Sequence, residues 1–81
     1  QEGVVITDPS GRVIAANRAF VEFAGDTDEP ALKGRLLAEA LGVAPAPIDA
    51  LLRAARLQGL AQAGGLPLRG RPVDVSAALL T

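Results

Sequence analysis

The 81-residue chain contains no cysteine, histidine, methionine, tryptophan or tyrosine. Without cysteine there is no disulfide framework, no thiol nucleophile and no cysteine-ligated metal. Without histidine the commonest general base and the commonest metal ligand are both missing, so a Ser-His-Asp set is excluded. Phe20 and Phe23 are the only aromatic residues. A formal net charge of −1 leaves no basic excess, which argues against direct nucleic-acid contact. No apolar run approaches the ~20 residues that span a bilayer. The N-terminus has no basic stretch followed by an apolar one, so no export signal is visible. The first residue is Gln1 rather than Met, which reads as a segment of a longer protein. Together these absences lead us to expect a cytoplasmic, non-enzymatic domain with no membrane contact.

What is present describes one small globular domain over residues 1–81, with 49% hydrophobic and 21% charged residues. A chain this short buries only roughly 60% of its unfolded surface, which favours association with a partner. Charge is unevenly placed: residues 1–30 hold two Arg against six Asp/Glu, and residues 31–81 hold six Lys/Arg against three Asp/Glu. Two β-branched runs, Val4-Val5-Ile6-Thr7 and Val13-Ile14, flank Asp8-Pro9-Ser10-Gly11. That tetrapeptide fits a type I turn, with Asp first, Pro second and Gly fourth, so the runs read as a β-hairpin.

Asn17 then reads as the N-cap of a helix ending near Gly25, with Phe20, Phe23 and Ala24 on its buried side and Arg18 and Glu22 in water. Asp26 to Pro30 signals a turn and a short helix around Pro30 to Leu32. Leu36, Leu37, Ala40 and Leu41 form a second one, closed by Gly42. Val43 to Pro47 reads as an extended linker, because residues before proline avoid the helical region, while Pro47 can occupy the first turn of the next helix and Asp49 favours its N-terminus. Ile48, Leu51, Leu52 and Ala55 follow at helical spacing, with Arg53 and Arg56 outward and Gly59 as the stop. Leu60–Leu68 and Pro72–Leu80 read as a second hairpin turning at Arg69-Gly70-Arg71. Pro67 assigns the first of these to a sheet edge, and Gly64-Gly65 reads as a bulge rather than a phosphate loop. Along the last strand Val73, Val75, Ala77 and Leu79 alternate with Asp74, Ser76, Ala78 and Leu80. The second set is apolar at its end, so something is expected to cover that outer face.

The opening EGVVITDPSGRVIAANRAF resembles the PAS domain, whose N-terminal pattern "(D/E)G(I/V)(I/V)xxDxxGxIxxxNxAF" it matches almost throughout. Leu32 to Leu37 resembles the "L(I/V)G+xLxE" stretch of that family. The resemblance implies an α+β fold: an antiparallel sheet with short helices packed on one face, in the order ββαααββ. In that family a fifth strand follows and lies between the first and fourth. Its absence from these residues leads us to expect two hairpins with open inner edges. Three outcomes are open: a strand supplied from beyond these residues, one supplied by a second chain, or direct pairing of the hairpins. Truncation with self-association is the preferred one. EGVVITDPSGRVIAANRAFVEFAG, LKGRLLAEALG and PIDALLRAARLQG further resemble the central PAS domains of PpsR/CrtJ-type transcriptional repressors. Such proteins carry several PAS domains and a C-terminal helix-turn-helix.

The family's cofactors can be weighed on these residues. Flavin-adduct and covalently attached chromophore types need a cysteine, and the haem types need His, Met or Cys; none occurs here. No cofactor is therefore expected. A small apolar metabolite or a noncovalent flavin, the alternative, would sit near Phe20, Phe23, Leu37, Leu52 and Val75. Ser10 and Ser76 read as local hydrogen-bonding residues. Asp26, Asp28 and Glu29 lack the glycine-bearing loop of a calcium site, and no metal site is expected. The preferred reading is a sensory and interaction module that forms a homodimer and relays a signal to an attached effector such as a helix-turn-helix domain. Its interface is expected on the outer sheet face at Ala78 and Leu80, extended by Ile14 and by Val5 or Thr7 according to register.

Overall fold

The computed structural model describes residues 2–25, 29–42, 45–68 and 71–80. Strand β1 (Glu2–Thr7) turns into β2 (Val13–Ala16). The Asp8 carbonyl accepts from the Gly11 amide at 2.9 Å, closing the expected turn. Asp8 Oδ1 accepts three further bonds: Ser10 N at 2.9 Å, Ser10 Oγ at 2.6 Å and Arg12 N at 3.0 Å. Gly11 adopts φ +88°, a left-handed conformation that glycine takes without a Cβ penalty.

Helix α1 (Arg18–Ala24) begins where Asn17 Oδ1 accepts from the Phe20 amide, and it stops at left-handed Gly25. Both ends lie where the sequence places them. A single 3₁₀ turn covers Glu29–Ala31, and α2 (Leu37–Leu41) ends at Gly42. Helix α3 spans Pro45–Gln58: Pro47 lies in its first turn as expected, and the helix also takes in Pro45 and Ala46 of the expected extended linker. Pro45 and Pro47 both fall in its first turn, where amide protons have no intrahelical acceptor and a fixed φ suits the helix. Strands β3 (Leu60–Leu68) and β4 (Arg71–Leu79) form the second hairpin. Val43, Ala44, Arg69, Gly70 and Thr81, with the acidic turn at 26–28, lie outside the described residues.

The four strands make one sheet in the order β2-β1-β4-β3, with the helices on one face. The order ββαααββ and the α+β class are as expected. The sheet is mixed rather than wholly antiparallel: β1 pairs parallel with β4, from Glu2↔Asp74 to Thr7↔Leu79, and the Leu80 amide continues the seam to the Thr7 carbonyl at 2.8 Å. The inner edges of the two hairpins are thus closed on each other. Two strands that flank a common antiparallel neighbour are parallel to one another. Hairpins arranged for a central fifth strand can therefore zip together only as a parallel pair, and pairing satisfies backbone groups that would otherwise lie open.

Along β1 and β4 the residues Gly3, Val5, Thr7, Val75, Ala77 and Leu79 face the helices, and Glu2, Val4, Ile6, Asp74, Ser76 and Ala78 face away. Phe20, Leu32, Leu37 and Ile48 fill the space between, all at most 1% exposed. Burying each such side chain contributes about 1.5–3 kcal/mol. Helix α1 lies close over β1 because residue 3 is glycine: a Cβ there would stand 2.9 Å from the Phe23 ring.

Candidate functional site

The face of the sheet turned away from the helices is left uncovered by them. The row at one end of it runs across all four strands as Ala15, Ile6, Ala78 and Leu60, set side by side by the registers Ile6↔Ala15, Ile6↔Ala78 and Leu60↔Ala78. Every member is apolar. Leu80, 57% exposed, continues the alternation past the end of β4, and Val4 lies one row back on β1, also exposed. Ile14 is half-buried, at the irregularity where β2 shifts register between Ile6 and Thr7, and it stands outside the core cluster.

Of the residues the sequence singled out for an interface, Ile14, Ala78 and Leu80 lie outside the core. Val5 does not belong with them. It is fully buried, packed on the helix side opposite Ala77, and Thr7 is buried beside it. The register follows from Gly3: only a residue without a side chain fits beneath Phe23, so the odd-numbered positions of β1 turn inward and Val4 and Ile6 turn outward. Ile6, Ala15 and Leu60 were not singled out from the sequence. The run Val4-Val5-Ile6-Thr7 is β-branched at every position, so alternation could not choose its outer face.

The opposite end of the same face is polar. Glu2 stands beside Asp74, and each carboxylate has its own donors. Glu2 Oε2 accepts from Ser76 Oγ at 2.6 Å and from Gln62 Nε2 at 3.4 Å; Asp74 Oδ1 accepts from the Gly65 amide at 3.1 Å. Ser76 is thereby a partnered hydroxyl, 5% exposed, but its partner is distant in sequence rather than local as expected. Asn17 joins this end to α1. Its Oδ1 accepts from Val4 N and Phe20 N, both at 2.9 Å, and its Nδ2 donates to the Glu2 carbonyl at 3.1 Å. One amide side chain thus caps the helix and continues the pairing of β1 beyond the end of β2.

The five residues proposed around a ligand are brought together, but as packing. Phe20, Leu37, Leu52 and Val75 belong to one buried cluster, and Phe23 packs against it. The cluster forms the interior between helices and sheet. A half-open groove of about 220 Å³ lies to one side, between the β1–β2 turn, α2 and α3. Leu37 and Leu52 reach its floor, and Ser10, Glu39, Asp49 and Arg56 stand on its rim. The Arg56 guanidinium is held there by the Pro9 carbonyl, Nη2 to O 3.0 Å.

The Asp8 carboxyl has a shifted proton affinity. The Ser10 hydroxyl first, and then the Arg12 amide, hold Asp8 below the ordinary aspartate value by donating to its charged form. These bonds belong to the turn between β1 and β2. Among the described residues no three His, Cys, Asp or Glu side chains gather as a metal site, and no helix is long and apolar enough to cross a membrane.

No curated protein and no solved structure shows significant similarity to the chain. A family model for the PAS domain matches residues 1–61, from β1 through the helices to the start of β3. The match covers the hairpin, the Asn17-capped helix and the helical face of the core, and on it the chain belongs to the PAS domain family.

Proposed function

We propose that this PAS domain is a non-enzymatic interaction module of a cytoplasmic signalling or transcription regulator, of the PpsR/CrtJ kind that its sequence resembles. It associates with a second copy through the outer sheet face and transmits a conformational bias to an attached effector, such as a helix-turn-helix domain, without a bound cofactor. One observation carries the reading: an apolar row crosses all four strands on the face that the domain's own helices leave uncovered, with Leu60 in it 51% exposed and Leu80 beside it 57% exposed. Isolated exposed leucines are ordinary, but a contiguous apolar band marks an interaction surface. Sedimentation velocity over a concentration series tests the reading. Ala78→Asp and Leu80→Asp are expected to shift the protein towards monomer, and an association that both variants leave unchanged would remove this face from consideration.

The second reading is a small-ligand sensor. What favours it is the groove beside Leu37 and Leu52, apolar on its floor and charged on its rim. A dissociable small-molecule mass on the purified protein, or absorbance beyond the protein band as for flavin, would support it over the first.

A further inference from the structure

The two outer edges of the sheet are finished differently. The β2 edge is covered by the protein's own chain: Val13 N donates to the Arg35 carbonyl and Gly34 N to the Val13 carbonyl, both at 2.9 Å, and Arg12 bridges to Leu36. The β3 edge has no such cover among the described residues, although β3 is nine residues long. Its pairing with β4 shows which of its backbone groups are spare. The Leu79 amide donates to the Gly59 carbonyl at 3.2 Å, which makes Leu60↔Ala78 a non-hydrogen-bonded pair of the antiparallel ladder. By alternation Ala61↔Ala77 and Ala63↔Val75 exchange hydrogen bonds, and Gln62↔Ser76 does not. The N–H and C=O groups of Leu60 and Gln62 therefore point out of the sheet.

We infer that the Leu60–Gln62 edge pairs antiparallel with the same segment of a second copy, joining two sheets into one. A two-fold axis at Ala61 sets Leu60 opposite the partner's Gln62 and Gln62 opposite the partner's Leu60. Each of these pairs exchanges two backbone bonds, four in all, and the register is the one in which all the outward groups of these two residues find partners. Ala61 then faces the partner's Ala61 across a non-hydrogen-bonded pair, where strands approach most closely and a methyl group fits. The occupant follows from the sequence of the strand. Leu60 to Pro67 carries no charge, so two copies meet without repulsion and offer nothing to recruit a charged strand. Proteins guard exposed edges with charges, proline or bulges. Here the bulge between Ala63 and Leu66 and the proline at position 67 protect the far half of β3, leaving the near half open. The edge shares Leu60 with the apolar outer face, offering its backbone where that face offers its side chain, and its pairing does not depend on association through that face.

Amide hydrogen exchange of the intact chain, followed residue by residue at dilute and at millimolar concentration, tests this inference. Exchange at Leu60 and Gln62 is expected to slow by about tenfold or more on concentration, while Ala61 and Ala63 are protected throughout by β4. Gln62→Pro removes an outward donor and leaves the β3–β4 ladder intact, so it is expected to abolish that slowing; Gln62→Ala keeps the donor and the slowing. Leu80→Asp, which strikes the outer face, is expected to leave it unchanged. Fast exchange at Leu60 and Gln62 at every concentration in the wild type would overturn the inference, whether or not the proline variant folds. So would slowing that survives Gln62→Pro.

Discussion

Individual side chains set the strictest conditions on this domain. Gly11 combines φ +88° with a neighbour, Leu52 Cδ1, only 2.9 Å from where a Cβ would stand. Gly11→Ala is expected to cost about 2 kcal/mol, from backbone strain and displacement of Leu52 together, and urea denaturation measures it. Asn17 accepts from two amides and donates to one carbonyl, so Asn17→Ala is expected to destabilise by about 1–2 kcal/mol on the same assay. Thr7 makes the opposite case. Its Oγ1 is buried without a hydrogen-bond partner among the described residues. Thr7→Val keeps the β-branched shape and removes the unpaired hydroxyl, and a gain of about 1 kcal/mol is expected. A loss would mean that the hydroxyl has a partner after all. Asp8 gives the pH dependence. Its folded pKa is lowered, first by Ser10, so its contribution is present above the unfolded value and lost as pH falls through the folded one. The window lies below about pH 4. Asp8→Asn should flatten that part of a stability–pH curve, and an unaltered acid limb would assign it to other carboxylates.

The elements show which sequence signals suffice. Turn, cap and stop residues act locally, so Asp8 to Gly11, Asn17 and Gly25 were legible as turn, cap and stop, while the bonds of Asn17 to β1 were not. Helical spacing likewise identified α1, α2 and the body of α3. The first-turn role of Pro47 was legible but the helical start at Pro45 was not, because proline both forbids helix behind it and favours the first turn ahead of it; here the second effect prevails at Pro45 as well. The parallel seam was hidden for a different reason. Strand pairing is a property of the assembled sheet, and nothing within β1 or β4 names its neighbour. The inward turn of Val5 also depended on a contact distant in sequence, Gly3 beneath Phe23. The Arg18–Glu22 ion pair on the wet side of α1, 3.4 Å long and well exposed, contributes at most about 0.5 kcal/mol. Its removal should therefore leave the denaturation midpoint almost unmoved.

At the scale of the molecule, the helices cover one side of a four-stranded sheet and leave the other with an acidic end and an apolar row. The PAS family assignment rests on residues 1–61, whereas the candidate outer face also draws on β4, which lies beyond that match. Interior residues first considered around a ligand are the packed core, so the surface rather than the interior is where the domain meets other molecules in our account. Native mass spectrometry beside a denaturing spectrum of the same sample tests this most directly. The account predicts assemblies of more than one chain with no added mass, shifted towards monomer by Ala78→Asp. A monomer carrying a small molecule that dissociates on denaturation would contradict it and transfer the function to the groove at Leu37 and Leu52.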